Sequence, residues 1–192
     1  MKKILFLFIV VFLTANAWGQ TAGIFYNGEK VGYSRIFGQK LGNLAGAYFS
    51  MGLSGAKRNL LIEGKTAELK INEKRPTFNV VFGDSTALPS VFQNPKNFDF
   101  LVLVELKKGK NERKLQNGSY GLTGVESNLA SKYVISLKVE QISQSEFSIC
   151  PKEDLKKGEY CLYFNIPEPK DKDNEKEQND IFKGVFDFTI TK

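Results

Sequence analysis

Lys132-Tyr133-Val134-Ile135-Ser136-Leu137-Lys138-Val139-Glu140 sets Tyr133, Ile135, Leu137 and Val139 on one side of an extended chain, with Lys132, Ser136, Lys138 and Glu140 mainly on the other. A two-residue period is what a strand with one buried face requires, because successive side chains point to opposite sides of a sheet. Phe98, Phe100, Val102, Val104 and Leu106 alternate in the same way. Leu101 and Leu103 make the reverse side apolar as well, which predicts a strand buried on both faces. Further strands are read at 24–26, 31–37, 59–63, 67–71, 77–82, 146–150, 159–166 and 185–191. About ten short strands predict an all-β chain: a single antiparallel β-sandwich, immunoglobulin-like or jelly-roll-like.

Turn chemistry fits that class. Asn27-Gly28 and Asn117-Gly118 supply residues that tolerate the positive φ of tight type I′ hairpins. The stretch 41–56 is read as a strand, since Gly42, Gly46, Gly52 and Gly55 disfavour a helix. No long 3.6-residue period occurs, and 126–131 is read as at most one helical turn.

Ahead of this lies an address. Lys2 and Lys3 precede ten apolar residues, Ile4 to Leu13, followed by Thr14-Ala15-Asn16-Ala17, the pattern of a secretory signal peptide. Ten residues rise only about 15 Å as a helix, half a bilayer core, so the segment is too short for a membrane span. Residues 1–17 are read as the leader, with cleavage before Trp18 or, alternatively, before Gln20. Neither position carries a cysteine for lipid attachment, so the mature chain is expected to lack a transmembrane segment or lipid anchor and to be periplasmic or secreted. Residues 18–192 are then read as one domain, with a solvated charged loop at 167–180.

The apolar fraction of 42% with 16 Phe predicts a packed interior. Losing Lys2 and Lys3 takes the formal charge from +6 to +4, a surplus too mild to identify a polyanion-binding protein. The chain contains no histidine. A Ser-His-Asp triad, a Cys-His pair and a His-ligated zinc site are thereby excluded. A carboxylate pair, a Ser-Lys dyad or a metal held by oxygen ligands remain. Asp171, Asp173 and Glu175 open like an EF-hand loop, but Lys176 stands where its glycine belongs and Phe182 where its bidentate glutamate belongs. Ser54-Gly55-Ala56-Lys57 matches S-x-x-K without the S-D-N and K-T-G partners that the chemistry uses. The sequence thus calls for no metal, cofactor or catalytic residue.

Two groups are candidates for other roles. Lys107, Lys108, Lys110, Arg113 and Lys114 crowd five cations into eight residues, which either grip an anionic surface or form a hairpin tip kept soluble by charge. Cys150 and Cys161 are the only cysteines, and an exported chain meets oxidising conditions. Core alternation puts Phe147 and Ile149 inward from one strand and Tyr160, Leu162, Phe164 and Ile166 inward from the other. Cys150 and Cys161 then share the outer face with Glu159 and Tyr163, so a disulfide across a hairpin at 151–158 is expected as often as a pair of free thiols.

Asp154-Leu155-Lys156-Lys157-Gly158-Glu159-Tyr160-Cys161 resembles the corner before a late strand of immunoglobulin-like sandwiches, where an acidic residue, a glycine and a tyrosine precede a cysteine. Tyr160 is adjacent to Cys161, whereas those domains set the tyrosine two residues ahead. The chain is also similar to uncharacterised exported Gram-negative proteins that pair an L-x-x-G-E-Y strand, here Leu155 to Tyr160, with a terminal F-D-F strand, here Phe186-Asp187-Phe188. Gly64 to Ala67 followed by Pro76-Thr77-Phe78 extends that likeness. It implies a fold and a compartment and brings no catalytic residue. The functional expectation is a non-catalytic module binding an envelope protein or a glycan, with no nucleic-acid partner. A strand-pairing structural subunit and a two-carboxylate hydrolase are the alternatives.

Overall fold

A computed structural model describes residues 22–49, 56–83, 90–121, 124–126, 129, 131–166 and 184–192. The leader with both cleavage points, Ser54 of the S-x-x-K match, the EF-hand-like acids and the 167–180 loop lie outside them.

Five strands form an open sheet in the order β11 (Leu137–Gln141), β12 (Glu146–Pro151), β6 (Phe78–Val81), β1 (Gly23–Tyr26), β2 (Glu29–Lys30). A second sheet runs through β7 (Leu101–Lys108), β13 (Gly158–Phe164), β14 (Gly184–Ile190), β3 (Ser34–Gly42), β4 (Ala56–Glu63) and β8 (Glu112–Gly121). Its last strand pairs back with its first, Lys107 opposite Lys114 and Lys108 opposite Arg113, so the six strands close into a barrel. Closure is confined to that hairpin end. Farther along, β8 pairs instead with β9 (Gly124–Glu126) and β7 with β10 (Val134–Ile135). Among the described residues every pairing is antiparallel except that of β5 (Leu69–Ile71), which runs parallel to the end of β14.

Two cores follow from one shared wall. The faces of β13 and β14 that carry Tyr160, Leu162, Phe164, Phe186, Phe188 and Ile190 pack against Ile24, Phe78, Val80 and Ile149 of the open sheet. Phe78 and Phe188 meet across this layer with ring centroids 5.0 Å apart. The opposite faces look into the barrel, where Cys161 and Val185 join Leu60, Ile62, Val104, Leu106 and Leu115. Each fully buried Phe or Leu contributes about 1.5–3 kcal/mol relative to exposure, so a strand apolar on both faces belongs in this position. A short helix, α1 (Leu44–Phe49), leaves the end of β3 through Asn43 (φ 59).

The all-β class expected from the sequence is present, but the larger sheet is a closed barrel, not one of two open leaves. Several local expectations change with it. Phe98 and Phe100 sit in a 3-10 turn over Pro95–Phe100, because Pro95 presets the first φ and the Asn94 side chain accepts from Lys96 N at 3.0 Å. The 132–140 stretch breaks at Ser136: Val134 and Ile135 pair with β7, whereas Leu137–Gln141 pairs with β12. The expected apolar side is split as well: Ile135 and Leu137 pack on the first core, Tyr133 packs on the second, and Val139 is exposed. Asn27 (φ 51) and Gly28 (φ 80) turn as expected between β1 and β2. Asn117, by contrast, is a bulge within β8, skipped between the pairs Arg58 with Gly118 and Asn59 with Gln116. Residues 44–49 are helical, not extended.

The expected hairpin between 146–150 and 159–166 does not form. β12 belongs to the open sheet and β13 to the barrel wall, and Cys150 and Cys161 are free thiols. Glu159 and Cys161, assigned to the solvent side by alternation, are buried because that side is the barrel interior. The Tyr160 hydroxyl donates to Lys156 O, ahead of β13, at 2.8 Å.

Candidate functional site

The two ends of the barrel differ in chemistry. At the hairpin end, ladder alternation turns Arg113 of β8 inward opposite Ile62, and the guanidinium becomes a plug with 1% of the residue exposed. Its five donors need acceptors once water is excluded. Nε donates to Gly64 O at 3.1 Å and Nη2 to Glu63 O at 2.6 Å. Nη1 pairs closely with Asp187 Oδ2 and lies 4.0 Å from Glu159 Oε2. Gly64 has φ +83, a conformation that glycine adopts without penalty and that presents its carbonyl here.

Glu159 is held from several sides. Its Oε2 accepts from Ala67 N and from Thr189 Oγ1, both at 2.9 Å. Lys70 Nζ donates to Thr189 Oγ1 at 3.1 Å and also bonds Ala67 O, which links β5, β13 and β14. Glu159 Oε1 has no hydrogen-bond partner, although Lys108 Nζ stands 3.3 Å away. That contact is an ion pair outside hydrogen-bond geometry. The acid of the G-E-Y segment and the acid of the F-D-F segment thus converge on one arginine.

The arrangement suits structure better than catalysis. Two carboxylates near each other could share acid and base roles, but hydrolysis needs room for substrate and water between them. Here Glu159 and Asp187 are 1% and 5% exposed, with a guanidinium in the space. Cys161 lies opposite Asp187 in the ladder, and its thiol is pushed up far beyond the ordinary range, first by burial and then by the Asp187 charge, against a smaller opposing effect of Arg113. The nucleophilic form is therefore suppressed. Among the described residues no group of three or more His, Cys, Asp or Glu side chains is placed to hold a metal.

The five cations of 107–114 do not share a surface. Arg113 is the plug, and Lys108 reaches to Glu159. Lys107 lies 4.6 Å above the Tyr133 ring, with Lys132 at 5.0 Å from the same ring. Hydrogen bonding to Lys107 is the largest of the effects that hold the Tyr133 phenol below its usual value. Lys114 pairs with Glu112 at 3.2 Å, which leaves Lys110 exposed in the turn.

The opposite end is apolar and cationic. Leu44, Tyr48 and Phe49 of α1 are 58%, 83% and 84% exposed, and the Tyr48 and Phe49 rings meet edge to face at 6.0 Å. Leu44 and Tyr48 are four residues apart and share a helix face. α1 packs beside β4. Gly42 lies opposite Lys57 and Leu41 opposite Arg58, so cations flank the point where the helix departs. Asn59 fastens this corner, its Nδ2 reaching Lys40 O at 3.3 Å and Lys57 O at 3.2 Å. Arg58 Nε donates to Gln39 Oε1 at 3.0 Å.

Reading the sequence for catalytic motifs overlooked this pole. A usable signal was present: from Lys30 to Ile62 the chain carries five cations, Lys30, Arg35, Lys40, Lys57 and Arg58, and no acid. The chain matches no family model, no curated protein and no solved structure.

Proposed function

We propose that this protein is an exported, non-catalytic β module that binds another component of the cell envelope through the pole made by the end of β3, α1 and the start of β4. The supporting observation is the exposure of adjacent aromatic rings at Tyr48 and Phe49. A soluble chain hides most such area, and contiguous exposed apolar groups mark interaction sites. Aromatic residues on a rigid support lose little side-chain freedom on contact and carry much of the energy of recognition. At the hairpin end, by contrast, Arg113 is buried against Asp187, and Lys108 and Lys114 pair with Glu159 and Glu112.

The test is photo-cross-linking in intact cells, with a photoreactive residue placed at position 48, at position 49 or, as a control, at Lys138 on exposed β11. Adducts concentrated at 48 and 49 are expected. Adducts at Lys138 alone, or equal yields at all three positions, would overturn the assignment of this pole.

A further inference from the structure

The pole has a chemistry that selects among envelope components. Its centre is a six-residue helix, Leu44–Phe49, without a charged residue, projecting Leu44, Tyr48 and Phe49. Exposed Lys40 and half-buried Lys57 and Arg58 stand at its base. The stretch from Lys30 to Ile62, which supplies these cations, contains no acid, and the ladder from Lys57 runs through Ser119 to Glu126 on β9.

Tyrosine and phenylalanine settle at the boundary between headgroup and acyl chain, where a ring meets hydrocarbon and a hydroxyl meets water. Lysines and arginines beside such a wedge face anionic headgroups, whose attraction falls off within a Debye length of the surface. A projecting apolar tip with a cationic base therefore matches a charged bilayer surface in both shape and sign. Among the described residues no helix is long and apolar enough to cross a membrane.

Resting on the reading of this pole as the binding face, we propose that its partner is an anionic phospholipid surface, with Leu44, Tyr48 and Phe49 entering the headgroup layer and Lys40, Lys57 and Arg58 meeting lipid phosphates. Contact is peripheral. Both apolar burial and charge are needed, so affinity depends on the anionic lipid content and on salt.

The test is co-sedimentation of the full chain with phosphatidylcholine vesicles, with and without phosphatidylglycerol. Wild type is compared with Tyr48→Ser/Phe49→Ser, with Lys40→Gln/Lys57→Gln, and with Val139→Ser/Ile142→Ser, which removes exposed apolar groups from the region of β11. All four proteins keep the same N-terminal apolar segment, so any contribution from it is common to them. Thermal melting checks that each variant folds. The first two variants should bind phosphatidylglycerol vesicles at least about tenfold more weakly, and wild-type binding should fall as salt rises from about 0.1 M to about 1 M. The Val139/Ile142 variant should bind like wild type. Equal binding by all four proteins would overturn lipid docking at this pole. Absence of wild-type binding would overturn it too; if in-cell adducts at positions 48 and 49 were then to a protein, the pole would stand as a binding face with the lipid assignment removed.

Discussion

Arg113 shows how one residue can plug one end of a barrel. Its guanidinium satisfies two backbone carbonyls and the Asp187 carboxylate, with Glu159 close by. Breaking a buried pair leaves an uncompensated charge, so Arg113→Ala should destabilise by about 3–5 kcal/mol. The double variant Arg113→Ala/Asp187→Ala should lose clearly less than the sum of the single losses, read from urea unfolding. Additive effects would contradict the pairing. The thiols permit a second check: both should be titratable by a thiol reagent in unreduced, denatured protein, while buried Cys161 stays unreactive in the folded state. Finding no free thiol after denaturation without reductant would contradict the separation of β12 from β13. Tyr160 supplies a pH dependence. Burial above all, then the Glu105 charge, raises its phenol above 10.0, so the folded state holds the proton that donates to Lys156 O. A raised folded value means that this contribution is complete below about pH 10 and is lost as pH climbs through the folded value. Tyr160→Phe should cost about 1 kcal/mol at neutral pH. The gap between the two melting curves should then narrow above pH 10, and a gap that widened would refute the sign.

At the scale of elements, turns and shared strands set the geometry. Gly28 sits at φ +80 with open space around its Cβ position, whereas Gly32 has open space without a positive φ. Gly28→Ala should therefore cost about 1–2 kcal/mol through backbone strain alone. Gly32→Ala should stay within about 0.5 kcal/mol. Equal thermal shifts for the two would contradict the turn. That turn was legible in Asn27-Gly28, as were most strand positions, because period two survives translation into any sheet. Which sheet a strand joins was not. The 132–140 stretch reads as one strand, yet its halves pair with different sheets, since alternation records a buried side and is silent about the partner. In the same way Glu159 and Cys161 looked solvent-facing because local pattern cannot distinguish water from the inside of a barrel. Asp187, a lone acid among Val185, Phe186, Phe188 and Ile190, was the visible hint that the second face is also buried. α1 was hidden for a different reason: Gly46 lowers helix preference and Gly42, Gly52 and Gly55 around it read as breakers, which masked the favourable Ala45 and Ala47.

The whole molecule places an open sheet and a barrel on either side of one wall, β13 and β14, and this leaves two chemically opposite poles. Alternation made the all-β class legible; the poles required the closure between β7 and β8, a contact across the ends of the ring. At the hairpin pole Lys108, Arg113 and Lys114 face the acids Glu159, Asp187 and Glu112, and the α1 pole offers apolar rings with cations on a stretch, Lys30 to Ile62, that carries no acid. Recognition at the second pole is the central claim. Hydrogen exchange, followed by mass spectrometry on the protein with and without envelope fragments, tests it most directly. Amides of 41–49 and 56–58 should exchange more slowly in the presence of envelope while those of 107–114 stay unchanged. Slowing at 107–114, with none at 41–49, would contradict the account.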